Sequence, residues 1–262
     1  MPLDIDRFAH IQSPLQQWDP RLKIASLGIL IFGIALLKTL PLAVIALCLA
    51  SVLLWSSALP YHFISHGIKW IIFFLLPFFL ILPFSYPGEA AFHVLGLPFA
   101  WEGLRLATLI FIKALAIVMC TFTVFGTSRF DISMIALQHL KCPKIITQML
   151  LFTYRYTFVF LEEMRSMQLA MQARGFVMKT NLYTLKVIGN FIGTLLIRSF
   201  ERTERVYKAM LSKGYQGEFH SLVKFQAEPK DYIKAVAILS ITIILVSSDF
   251  SGFFTPAIQG WF

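Results

Sequence analysis

The sequence predicts an all-α polytopic membrane protein with about five transmembrane helices and a cytoplasmic domain of long helices. Composition is the first reason: of 262 residues 57% are hydrophobic, only 14% are charged, 26 are Phe, and the mean hydropathy is +0.71. One soluble core cannot absorb that much apolar surface. Patterning is the second, because the apolar residues gather into five long runs. Charge placement is the third: residues 127–232 hold fifteen Lys and Arg against eight Asp and Glu.

Residues 1–23 form a cytoplasmic amphipathic segment. They carry Asp4, Asp6 and Asp19 and no apolar stretch, so a secretory signal peptide is not expected. Residues 24–126 hold four spans. The first two, 24–40 and 41–59, meet at Lys38 to Pro41, where proline suits a helix start because its missing N–H is not needed there. The third runs over 68–84 and contains Pro77, which kinks a helix unless neighbours satisfy the freed carbonyl. The fourth, 104–126, carries a lone charge, Lys113. Residues 233–262 supply the last span, 233–248, and an outer tail.

Orientation follows from the cations. The segment 85–103 and the tail after Asp249 contain no Lys or Arg and belong outside, whereas Arg7, Arg21, Lys23 and the 127–232 stretch belong inside. Five spans then place the N-terminus in the cytoplasm and the C-terminus outside. Trp18, Trp55 and Trp70 fall at the inner interface, Trp101 and Trp261 at the outer. The net charge of +9 is what contact with the anionic inner face of a lipid bilayer selects, so no nucleic-acid partner is inferred.

Residues 127–232 are too long for a connector and read as a domain. A short pattern at 131–140 precedes Pro143, and two helical runs follow, about 144–173 and 182–212. Each is nearly uncharged at its start and charged at its end, so each is expected to begin in apolar surroundings and finish in water, its tip well clear of the bilayer. Both finish on one motif. "MQARGF" at 171–176 returns thirty-nine positions later as "MLSKGY" at 210–215. Gly175 and Gly214 stand where helices end in a left-handed residue, and Arg174 and Lys213 stand where the exposed carbonyls favour cations. A pair of similar tips implies a pair of similar sockets.

No site for chemistry competes with this motif. His62 and His66 have i, i+4 spacing but no third ligand, and the cysteines Cys48, Cys120 and Cys142 have no paired spacing, so neither metal nor disulfide is expected. "EEMR" at 162–165 departs from the glutamate-protease pattern, with one residue between the Glu pair and Arg where that pattern has three. The chain has no Gly-rich phosphate loop and is expected to bind no cofactor.

At these residues the chain resembles the transmembrane T component of energy-coupling factor (ECF) importers, a relative of EcfT, of the cobalt/nickel type called CbiQ or NikQ. The opening "IDRFAHIQSPLQQWDPRLKI" and the Ala-Arg-Gly signature carry a likeness that covers essentially the whole chain. The resemblance implies a non-catalytic subunit of an ABC transporter complex, transmitting the motion of two ATP-hydrolysing cassette subunits to a metal-binding membrane S component (CbiM- or NikM-like), with room for a small accessory membrane subunit. Residues 127–232 become its coupling domain. Ala173, Arg174 and Gly175 would dock one ATPase, and Ser212, Lys213 and Gly214 the other. Family members usually have Arg at the second cation. Lys213 keeps the charge but lacks the planar fork that grips a carboxylate twice. A T component for vitamins is the alternative, and an intramembrane glutamate protease a remoter one.

Overall fold

The computed structural model describes residues 15–85, 92–94, 97–217, 225 and 227–251. Among these, all five apolar runs and both long polarity-graded patterns are helical: α1 (Pro20–Leu36), α2 (Leu40–Ser56), α3 (Tyr61–Ser85), α4 (Trp101–Gly126), α5 (Phe130–His139), α6 (Lys144–Ala173), α7 (Leu182–Ser212) and α8 (Pro229–Phe250). The architecture is all-α as expected, apart from a small antiparallel hairpin of β1 (Phe92–Val94) and β2 (Leu97–Phe99). Local caps explain why α1 and α8 start earlier than their apolar runs. The Asp19 carboxylate accepts from the Arg21 N–H at 2.9 Å just ahead of Pro20, and Glu228 with Asp231 forms a reciprocal capping box ahead of α8. Pro41 sits in the first turn of α2, and α3 runs as one helix through both Pro77 and Pro83.

The chain forms two compact units, whose described parts are 15–140 with 225–251, and 141–217. In the first, α1 is central, burying Leu27, Leu30 and Ile34 among Ala46, Ala50, Ala116, Cys120 and Leu245. Small residues let the helices close up, as in lipid, where tight packing replaces the hydrophobic drive. A Cβ placed on Gly33 would lie 2.5 Å from Thr242 Cγ2 of α8. The outward faces are apolar: Phe32, Phe73, Phe74 and Ile243 are all at least 66% exposed, a surface only lipid or another membrane subunit can cover.

Contacts fix the helix directions. Trp18 Nε1 donates to the Asp231 carbonyl near the starts of α1 and α8, while the Asp249 carboxylate, at the end of α8, accepts from the Thr39 N–H and hydroxyl just past α1. Those two helices are therefore parallel. Lys23 Nζ near the start of α1 donates to Thr127 Oγ1 beyond the end of α4, and Lys113 Nζ of α4 donates to Ala35 and Leu37 carbonyls at the end of α1, so these two are antiparallel. The chain leaves α4 and enters α8 at the same end of the bundle.

The bundle has two heights. By length and composition α3, α4 and α8 can each cross a membrane, whereas α1 and α2 have 17 residues each, about 25 Å, against a hydrocarbon core of about 30 Å. The α1–α2 turn is pinned at the level of Lys113, midway along α4, so residues 101–112 extend roughly 18 Å past it. Lys113 is thus the cap of another helix. Asp249 completes the knot by accepting from the Lys38 N–H at 2.9 Å. Lys23, counted above among the orienting cations, is fully buried, its Nζ also donating to the Leu15 carbonyl at 3.3 Å.

Candidate functional site at two helix tips

The second unit consists, in its described part, of α6, α7 and their tips. Helix α6 begins after Pro143, which occupies the N-cap, and α7 begins on Asn181, whose side chain accepts from the Thr184 N–H at 2.8 Å. Both helices end in the same way. At the first tip the Phe176 N–H reaches the Met171 carbonyl at 3.1 Å and the Gly175 N–H the Gln172 carbonyl at 2.9 Å. At the second the Tyr215 N–H reaches Met210 at 3.0 Å and the Gly214 N–H reaches Leu211 at 3.0 Å. This pair of bonds is the Schellman motif, and it needs a left-handed residue, here Gly175 at φ +79° and Gly214 at φ +82°.

The cap accounts for three of the six motif positions. Besides the glycine and the helix it ends, the motif favours an apolar contact between the third residue from the end and the second residue beyond it. Those positions are Met171 with Phe176 and Met210 with Tyr215, all half-buried. Sequence reasoning aligned these residues without assigning them to the cap. The cations remain unexplained by it. Arg174 and Lys213 are exposed and have no ion-pair partner among the described residues; Ala173, Gly175, Ser212 and Gly214 are exposed beside them. A Cβ on either glycine would meet nothing within 4 Å, so bare backbone faces outward at both tips. At the first tip Arg174, Lys179 and Tyr183 border an open groove of about 450 Å³.

The tips do not share one end of the domain. Tyr215 Oη lies 3.4 Å from Gln148 Oε1 near the start of α6, Glu163 ion-pairs with Arg198 midway, and Phe176 shares its groove with Thr184 near the start of α7. The helices are antiparallel, and each tip sits beside the other helix's beginning. The two tips therefore stand at opposite ends of the pair. Its physical cause was legible: residues 174–181 can span at most about 30 Å, too little to return the chain along a helix of about 45 Å.

The rival sites are placed as well. Glu163 of "EEMR" holds Arg198 across the pair. His66 Nε2 accepts from Trp70 Nε1 at 3.3 Å, and among the described residues no three His, Cys, Asp or Glu side chains gather as metal ligands would.

The CbiQ family of cobalt transport proteins matches residues 12–224, most of the chain and both tips. The chain belongs to the CbiQ family. An uncharacterized protein of Methanocaldococcus jannaschii is 26% identical over 254 residues, covering 93% of this chain and 86% of that protein. The energy-coupling factor transporter transmembrane protein EcfT of Heliobacterium modesticaldum is 24% identical, covering 93% of this chain and 96% of its own length. EcfT of Exiguobacterium sibiricum is 28% identical over 173 residues, 62% of this chain and 66% of that protein. The likeness to a CbiQ-type T component, drawn from the Ala-Arg-Gly signature, therefore stands.

Proposed function

We propose that this CbiQ-family protein is the coupling subunit of an ECF importer for cobalt or nickel ions, itself non-catalytic, with two ATPases and a metal-binding S component as partners. The observation that carries this reading is the duplicated tip: two Schellman-capped helix ends, each presenting bare backbone and one unpartnered cation. A cap alone requires no cation. Cobalt heads the substrate class because the family is one of cobalt transport proteins.

The antiparallel arrangement constrains how such a subunit works. Two sockets are then reached from opposite ends of one helix pair. Helices of 30 and 31 residues, about 45 Å long, then set the tips far enough apart for one ATPase each. When ATP draws the two ATPases together, seated tips must converge, and the crossing near Glu163 and Arg198 becomes the pivot of a scissor. The S component rides on the apolar flanks that this motion tilts. In this frame the N-terminus is cytoplasmic and the C-terminus outside.

Each cation entering a socket needs an acidic or carbonyl partner, since a buried charge without one is strongly disfavoured. Arg174→Ala leaves that partner unpaired and is expected to cost about 2–5 kcal/mol of docking, more than a hundredfold at the midpoint. Lys213→Ala costs less, because the ammonium makes fewer parallel hydrogen bonds than a guanidinium. The test is co-expression with the ATPases and S component, followed by pull-down and uptake of radiolabelled cobalt. Wild-type assembly and ATP-driven uptake in the double Ala variant would sink the proposal.

A further inference from the structure

Between α6 and α7 run two depressions that meet at Phe160. One, of about 280 Å³, is charged: Arg198, Arg202 and Arg205 stand at i, i+4 and i+7 on one face of α7, with Glu163 and Glu201 beside them. The other, of about 380 Å³, is apolar, with Met149, Phe152 and Tyr156 of α6 facing Val206, Tyr207 and Met210 of α7. Glu163 is occupied by Arg198. Arg202 and Arg205 have no ion-pair or hydrogen-bond partner among the described residues, and neither the helix caps nor the tips use them.

We infer that this crossing binds one anionic phospholipid, its phosphate on Arg202 and Arg205 and one acyl chain along the trough from Phe160 towards Met149 and Met210. The two halves select this ligand together. Guanidinium forks match phosphate oxygens two at a time, and an acidic peptide could use them, but it would leave the apolar trough wet. A neutral lipid or an apolar helix could fill the trough but would leave the arginines idle. Met149 and Met210, facing each other at the end of the trough away from Phe160, suit a flexible chain of variable length. In a membrane protein such a lipid is always within reach, and clustered guanidinium groups attract anionic headgroups.

The test uses the full chain, purified in neutral detergent and exchanged into vesicles or micelles containing phosphatidylglycerol or phosphatidylcholine with identical acyl chains. Retained lipid is counted by native mass spectrometry. The expected result is one phosphatidylglycerol held in preference to phosphatidylcholine. The preference falls about thirtyfold in Arg202→Gln/Arg205→Gln, from two surface cations lost. Val206→Phe, which obstructs the trough, lowers retention of phosphatidylglycerol while leaving helix content unchanged. Equal retention of the two lipids would overturn the inference, as would a Gln variant that binds like wild type. Displacement of the lipid by millimolar inorganic phosphate would show a headgroup-only anion site and also overturn it. So would a finding that these residues govern co-purification of another membrane subunit while lipid retention is unmoved.

Discussion

Replacing Lys113 by Met keeps the length of the side chain and removes its ammonium, which isolates what that charge does in the bundle. Lys113 Nζ donates to the Ala35 carbonyl at 2.6 Å and to the Leu37 carbonyl at 2.8 Å. Both carbonyls end α1, where a helix leaves its last acceptors without intrahelical donors. Hydrogen bonds to a charged group contribute about 1.5–3 kcal/mol each in water-soluble proteins, and polar contacts between membrane helices average about 0.6. Two bonds at the membrane value give about 1 kcal/mol, and two orphaned carbonyls at the aqueous value about 4. Against this stands the relief of no longer holding an ammonium among apolar helices. We expect Lys113→Met to lose about 1–4 kcal/mol in reversible unfolding in mixed detergent and SDS micelles. Amide exchange at Lys38 and Thr39 should quicken in step, since the turn they occupy is held from one side by Lys113 and from the other by Asp249. A Met variant as stable as the parent, with unchanged exchange at the turn, would mean that desolvation cancels the two bonds and that α4 does not pin α1.

Glycines give the remaining tests. Gly175→Ala and Gly214→Ala meet no atom within 4 Å, yet their φ values of +79° and +82° penalise a Cβ by about 1–2 kcal/mol, only partly offset through the unfolded chain. Gly189→Ala, equally open but inside α7, should instead stabilise by about 0.5–1 kcal/mol. Thermal unfolding with amide exchange at Phe176 and Tyr215 separates the cases, and like-signed shifts at all three sites would refute the cap assignment. Gly103→Ala is predicted to cost about 1–3 kcal/mol, because its Cβ would stand 2.5 Å from the Leu82 carbonyl oxygen and 2.8 Å from Pro83 Cα, backbone atoms that cannot turn away. Gly28→Ala, with nothing within 4 Å, is its control in the same detergent titration.

What the sequence determined by itself is local. Apolar runs announced five helices because a segment in lipid must satisfy its own backbone, and that requirement is met within the run. The ends of α6 and α7 were legible for a similar reason, since a Schellman cap is written in six consecutive residues and Gly175 and Gly214 can hardly stand for anything else there. The family signature lies in the same few positions. Antiparallel placement of the tips was also implicit, in the shortness of residues 174–181, whereas periodicity and charge report only the polarity along each helix.

Tertiary structure alone decided the partners that meet through space. Lys113 read as a stray charge and is the cap of α1, 76 positions away from Leu37. Asp249 read as the last residue before a tail and holds the α1–α2 turn, 210 positions away from Thr39. Lys23 read as an orienting surface cation and is buried against Thr127. Glu163 read only as part of a near-match to a protease pattern, and it joins α6 to α7 through Arg198. The cause is common to all four: a charge in or beside apolar surroundings must find a partner, and nothing in the sequence near it says which distant backbone or side chain will be brought close enough to serve.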